Sequence, residues 1–258
     1  MAEERVRKEL LEAGTLLRLS LDRPPGNILT TGLMERLGHQ LASHQNERSL
    51  RMVVLQGAGG QFSWGASVEE HRKASAPSML RALSQLVRCI ARYPVPVAAL
   101  VEGRCLGGGF ELALACHLVF TTPEAQLGCP EIKLGVFPPV LAALGPWRLG
   151  GALSDRLLLT GEPLTAAAAH ACGFSAKVLD GADPFAQFTD WYRKGPLRIS
   201  AAALRTAASA VRAGTESLLG ARLDELEQLY RDRVLGSHDG NEGIEAFIER
   251  RAPVWEDA

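Results

Sequence analysis

The chain has 258 residues, 47% of them hydrophobic and 22% charged, with a formal net charge of -1. That is enough chain to bury a sizeable core, and near-neutral charge with both signs interspersed argues against nucleic acid or an anionic membrane surface as the main partner. No apolar run approaches the roughly 18 residues that a membrane span requires, so no membrane partner is expected.

The charged opening "MAEERVRKELLEAG" has no apolar segment and is not expected to be a signal peptide. "TLLRLSLDRP" alternates apolar and polar residues and stops at Pro24-Pro25, which predicts a strand ending in a turn. "TTGLMERLGHQLASH" has helical spacing at Leu33, Leu37 and Leu41 behind threonines that can cap it. "LRMVVLQG" predicts a short strand closed by "GAGG", and "SMLRALSQLVRCIARY" an amphipathic helix ending before Pro94. "VPVAALVEG" has a buried-strand pattern, and "FELALACHLVF" begins as a helix and runs into another strand. Strands alternating with helices predict an α/β fold with parallel pairing. After Gly195-Pro196 the segments "ISAAALRTAASAVRAG", "LDELEQLYRDRVL" and "GNEGIEAFIERR" are helical throughout. The expected organisation is a core over 1–193 and a helical region over 194–258.

Five cysteines, Cys89, Cys105, Cys116, Cys129 and Cys172, form no CxxC pair. Their number and spacing suggest neither a disulfide framework nor a zinc site, and they read as buried thiols in a reducing cytoplasm. The six histidines are scattered without ligand spacing, so no metal is expected, and His117 reads as a core residue. Trp64, Trp147 and Trp191 read as packing residues, Trp64 within a suspected site loop. "GAGGQFSWGAS" is not a dinucleotide fingerprint, because Phe62 stands where the third glycine would be. There is no P-loop, no HExxH and no Gly-x-Ser-x-Gly elbow.

The stretch with chemical content is "VPVAALVEGRCLGGGFELALA". A strand, a glycine turn and a helix start put Gly107, Gly108 and Gly109 at a helix N-terminus, where the first N–H groups lack partners and the dipole is positive. Glycines there let a ligand oxygen approach the backbone, and one such donor to a developing oxyanion is typically worth about 10²–10³ in rate. A tight packing turn would look the same. Glu111 lies in the first helical turn, where an acid is also favoured by the dipole alone. Glu131, flanked by Cys129, Ile132 and Leu134, is expected to be partly buried with a raised pKa. Two differently tuned acids can divide base and acid roles around one water, although Glu131 alone could be an ordinary loop carboxylate.

These residues resemble the crotonase, or enoyl-CoA hydratase/isomerase, superfamily, from "LDRPPGNIL" to "EGIEAFIERRAPVW". "GRCLGGGFELALACHLVFTTPEAQLGCPEIKLGVFP" is similar to the family's glycine-rich oxyanion loop and its two glutamates, and "FSWGASVEEH" to the loop that supplies the second oxyanion donor. The resemblance implies a ββα spiral core with a C-terminal helical region and an acyl-CoA substrate. Coenzyme A would be part of that substrate, with no separate cofactor and no metal. It implies an oxyanion hole from the N–H groups of Ala66 and Gly108, acid–base chemistry by Glu111 and Glu131, and a CoA entrance lined by Ala66, Ser67, Val68, Gly107 and Gly108. It also implies a homotrimer or homohexamer whose C-terminal helices mediate trimerisation, and a cytoplasmic enzyme.

Departures from the family pattern are Ser67 in place of a common Asp, Glu69 in place of a base, and "FPPVLAALG" in place of a small, flexible segment. The last should stiffen the acyl wall. "FSWGASVEEH", "PEIKLGVFPP" and the tail look closest to the subgroup that hydrates cyclic dienoyl-CoA thioesters in anaerobic aromatic-ring degradation. The readings weighed against this one are a straight-chain enoyl-CoA hydratase or isomerase and, least favoured, a non-catalytic acyl-CoA-binding protein.

Overall fold

The computed structural model describes residues 4–214 and 216–258; the first three residues of the charged opening lie outside them. Strand β1 (Arg5–Leu11) pairs antiparallel with β2 (Leu16–Asp22), and α1 (Thr31–His44) follows. Thr30 caps α1 by accepting from the Leu33 N–H at 3.1 Å, and Leu33, Leu37 and Leu41 face the core as their spacing predicts. Next come β3 (Met52–Gly57), α2 (Ala76–Ala91), β4 (Val97–Val101), β5 (Arg104–Leu106) and α3 (Gly108–Ala115). Then β6 (Leu118–Thr121), β7 (Gln126–Gly128), a 3-10 turn (Glu131–Leu134), α4 (Pro139–Arg148), α5 (Gly151–Thr160), β8 (Leu164–Thr165), α6 (Ala166–Ala171) and β9 (Lys177–Val178) complete the sheets. The chain ends in α7 (Pro184–Lys194), α8 (Ala201–Arg212), α9 (Glu216–Leu229), a π turn (Tyr230–Val234) and α10 (His238–Glu249).

The main sheet has the order β1-β2-β3-β4-β6-β9, parallel after its first pair, and a smaller sheet has the order β5-β7-β8. The chain passes from β4 directly to β5 and from β6 directly to β7, so these two windings each lay a strand in both sheets before a helical segment returns the chain. This is the ββα spiral with its C-terminal helical region.

Both faces of the main sheet are covered, which explains strands that are apolar at nearly every position. Leu17, Leu19, Val53, Leu55, Val97 and Ala99 point into the larger core beneath α1, α2 and α3. Their alternates Leu16, Met52, Val54, Ala98 and Leu100 meet Phe120, Phe188 and Tyr192 on the α7 side. Trp191 packs there, 4.7 Å from the Phe120 ring.

The charged opening forms strand β1, an edge whose charges include Arg7 bonded to Asp22 at 2.7 Å; charge along an edge discourages further pairing. Two expectations are corrected. Cys172 is exposed and Cys89 half-buried, so only Cys105, Cys116 and Cys129 are buried thiols. Trp147 is exposed rather than packed, and Trp64, though partly in solvent, has its ring laid on Gly26; each has an arginine over its ring. Among the described residues no helix is long and apolar enough to cross a membrane.

The C-terminal helices share the larger core through Leu219, Leu223, Tyr230, Val234, Leu235 and Ile244. Helix α10 also supports the 3-10 turn that carries Glu131, at a spot where only a glycine fits: a Cβ on Gly243 would lie 2.2 Å from the Leu134 carbonyl oxygen. Gly243→Ala is therefore expected to cost about 1–3 kcal/mol in chemical denaturation, by forcing the turn and α10 apart. Gly38→Ala, in α1 with open space at its Cβ, should instead gain about 0.5–1 kcal/mol. Equal stability of the two variants would contradict the close packing of α10 on that turn.

Candidate active site

The Gly-rich turn follows from the way β5 is paired. Gly107 donates its N–H to the Gly128 carbonyl at 2.8 Å, and its φ of +50° lets the chain turn sharply into α3. On the other side of β5 runs the segment carrying Ala66. Ser63 N donates to Arg104 O at 3.0 Å, and Leu106 N donates to Ser63 O at 2.9 Å. Leu29 brackets Ala66, donating to Gly65 O at 2.8 Å and accepting from Ser67 N at 2.9 Å. Ala66's own N–H is thereby turned to the opposite side, toward α3: a Cβ on Gly108 would sit 3.3 Å from the Ala66 nitrogen.

Gly108 begins α3, so its N–H has no intrahelical acceptor. Among the described residues neither N–H donates a backbone hydrogen bond. Two donors at the positive end of a helix, with no side chain between them, can converge on one oxygen.

Glu111, one turn into α3, is 2% exposed. Its Oε1 accepts from Val140 N at 2.7 Å and Leu141 N at 3.1 Å, the first turn of α4. Burial raises its pKa, and those two N–H bonds oppose the rise without cancelling it. Glu131 opens the 3-10 turn with its carboxylate against the bare backbone of Gly107, where a Cβ would come within 2.5 Å of Oε1. Its Oε2 is buried without a partner among the described residues. Burial raises the Glu131 pKa, and the negative charge of Glu111 raises it further. Near neutral pH such a pair holds one proton between its two members. It then presents a base and an acid at once.

Ala66, Gly107, Gly108, Glu111 and Glu131 are thus brought together. Ser67 is buried and follows Ala66, but its hydroxyl donates to Glu69 at 2.9 Å. Glu69's own backbone N–H and that hydroxyl lower the Glu69 pKa, so this carboxylate stays ionised. Val68 is half-buried against the larger core. His117 is structural, accepting from Val97 N at 3.1 Å, and burial lowers its pKa to about 3. No cluster of three or more His, Cys, Asp or Glu able to hold a metal occurs among the described residues.

The Pro139–Arg148 segment after Glu131 is helical, and its role in holding Glu111 is not visible in the sequence. The one hint is Pro138-Pro139 leading an aliphatic run, since proline suits the first helical position. Tyr230, buried near the pair, gives no sequence signal beyond its place in a helical tail.

The chain belongs to the enoyl-CoA hydratase/isomerase family, whose model matches residues 12–258. A cyclohexa-1,5-dienecarbonyl-CoA hydratase from Thauera aromatica is 39% identical, covering 94% of this chain and 93% of the relative. A 2,3-dehydroadipyl-CoA hydratase from Escherichia coli (strain K12) is 32% identical, covering 92% and 94%. A solved enoyl-CoA hydratase from Mycobacterium avium subsp. paratuberculosis K-10 superposes with a TM-score of 0.84 at 29% identity, covering 98% of each chain.

The raised acids have a thermodynamic signature. Their folded-state pKa values lie above the unfolded ones, so folding favours the protonated forms and stability falls as pH rises through the folded values. The thermal midpoint of the wild type should drop from mildly acidic to mildly alkaline pH. Glu131→Gln, which removes one acid and relieves the other, should flatten that drop; matching slopes would show that the carboxylates are not desolvated as a pair.

Proposed function

We propose that the protein is a hydro-lyase that adds water across a conjugated enoyl-CoA thioester, with cyclohexa-1,5-diene-1-carbonyl-CoA as its preferred substrate. The observation that carries this reading is the buried Glu111 and the half-buried Glu131, whose Oε2 is itself buried, beside the unengaged N–H groups of Ala66 and of Gly108 at the start of α3. The Ala66 and Gly108 N–H groups bind the thioester carbonyl oxygen and withdraw density from the diene. The better-stabilised ion, Glu111, takes a proton from water as the water oxygen bonds to the ring carbon β to the carbonyl. Glu131, with the more strongly raised pKa, delivers a proton to another diene carbon, so the net change is one water gained. The product is a hydroxycyclohexene-carbonyl thioester, 6-hydroxycyclohex-1-ene-1-carbonyl-CoA.

Two observations support a cyclic acyl group over a straight chain. The 39% identical relative carries that name, and the wall next to the pair is a helix with Val140, Leu141 and Leu144 buried rather than a flexible loop. Ala66, Ser67, Val68, Gly107 and Gly108 line the thioester and CoA entrance in this reading. The region 194–258 contributes contacts between copies in a homotrimer or homohexamer, with Phe247, Val254 and Trp255 exposed there.

The test compares kcat/KM for crotonyl-CoA and the cyclic dienoyl-CoA, with products identified by mass. A strong preference for the cyclic diene is expected, and a preference for crotonyl-CoA would make the protein a general hydratase. Glu111→Gln and Glu131→Gln should each lower turnover by about 10²–10⁴-fold with CoA-ester binding retained. Unchanged turnover in both would overturn the mechanism.

A further inference from the structure

Tyr230 is 1% exposed, yet its hydroxyl has no hydrogen-bond partner among the described residues. A buried donor left unmade destabilises a fold, and such groups are rare enough to require a reason. The residue opens the π turn between α9 and α10, an irregularity that recurs at functional sites. Its ring lies 5.4 Å from Phe137, which leads directly into the α4 turn whose N–H groups hold Glu111. The second unpartnered buried oxygen in this region is Glu131 Oε2. Both carboxylates act on the phenol: burial raises the Tyr230 pKa, and the charges of Glu131 and Glu111 add to the rise. Tyr230 therefore keeps its proton at any working pH and is a neutral, unpartnered donor whose phenol feels the charge of both acids.

We propose that Tyr230 is a third catalytic residue, whose hydroxyl donates a hydrogen bond to the oxygen of the water being added and, after addition, to the hydroxyl of the product. This rests on the hydratase reading above. Tyr230 transfers no proton: the water proton goes to one glutamate, the carbon receives its proton from the other, and the phenol O–H stays intact. Its task is to aim one water lone pair at the ring alkene carbon being hydrated while a glutamate takes the proton. A three-point hold on water also fits a substrate whose acyl group fills the apolar side of the pocket and leaves water a single place to stand.

The test is Tyr230→Phe, which keeps the ring against Phe137 and deletes only the hydroxyl. Its kcat should fall about 10- to 100-fold, with KM changed by less than about two-fold. Its thermal midpoint should be unchanged or higher, because an unmade buried hydroxyl is gone. Activity would then fall with stability intact or improved, which a merely structural tyrosine could not produce. Wild-type kcat in Tyr230→Phe overturns the proposal, as does a rise in KM alone or a loss of kcat that follows a loss of stability. Failure of the hydratase reading looks different: the wild type itself would form no hydrated product from either thioester, and the proposal would fall with the reaction it depends on.

Discussion

Two carboxylates share one desolvated space, and the surrounding structure is arranged around their repulsion. Burying a single ionised carboxylate is unfavourable, and burying two within mutual influence is more so unless one is neutralised. The fold limits the penalty in an unequal way. Glu111 receives the first-turn N–H groups of α4, whereas Glu131 has one buried oxygen with no partner among the described residues. The asymmetry is what the proposed division of labour, Glu111 as the anion and Glu131 as the proton carrier, rests on. In water the same two side chains would be equivalent and both ionised.

The larger architecture exists in service of that enclosure. Parallel strands deliver β4, β5 and α3 in immediate succession, so the start of α3 opens beside the Ala66 segment hydrogen-bonded along β5. Helix α4 aims its N-terminus at Glu111, and α10 braces the turn that carries Glu131. Two helix N-termini thus meet at one site: α3 offers free N–H groups, while α4 has given two of its own to Glu111. Helix dipoles favour negative charge at both places, as the proposed mechanism requires of an ionised carboxylate on one side and a developing oxyanion on the other.

Much of this could be read in the chain, and the unread parts share a physical cause. The apolar runs of β2, β3 and β4 and the i, i+4 leucines of α1 are strong local signals, and the glycine triplet before Glu111 marks its helix start by composition. Strands β5, β7, β8 and β9 are two or three residues long, too short to show alternation, and exist because the spiral supplies partners for them. Ala66 lies far from Gly108 in sequence, and nothing local brings them together; only family resemblance suggested the pairing, and long-range pairing along β5 produces it. The Phe137–Gly145 segment could be recognised as stiff and apolar, but its backbone N–H groups, not its side chains, hold Glu111. Tyr230 was invisible for a related reason, since helical periodicity reports which face is buried and not which buried hydroxyl lacks a partner.

The most direct test of the central claim is to incubate the wild type with cyclohexa-1,5-diene-1-carbonyl-CoA in heavy-oxygen water and weigh the product. The account expects an intact thioester that has gained one water, with the heavy oxygen on the ring. An isomer of unchanged mass, or release of free coenzyme A with the heavy oxygen in a carboxylate, would contradict it, because the paired acids would then be moving protons or directing water to the wrong carbon.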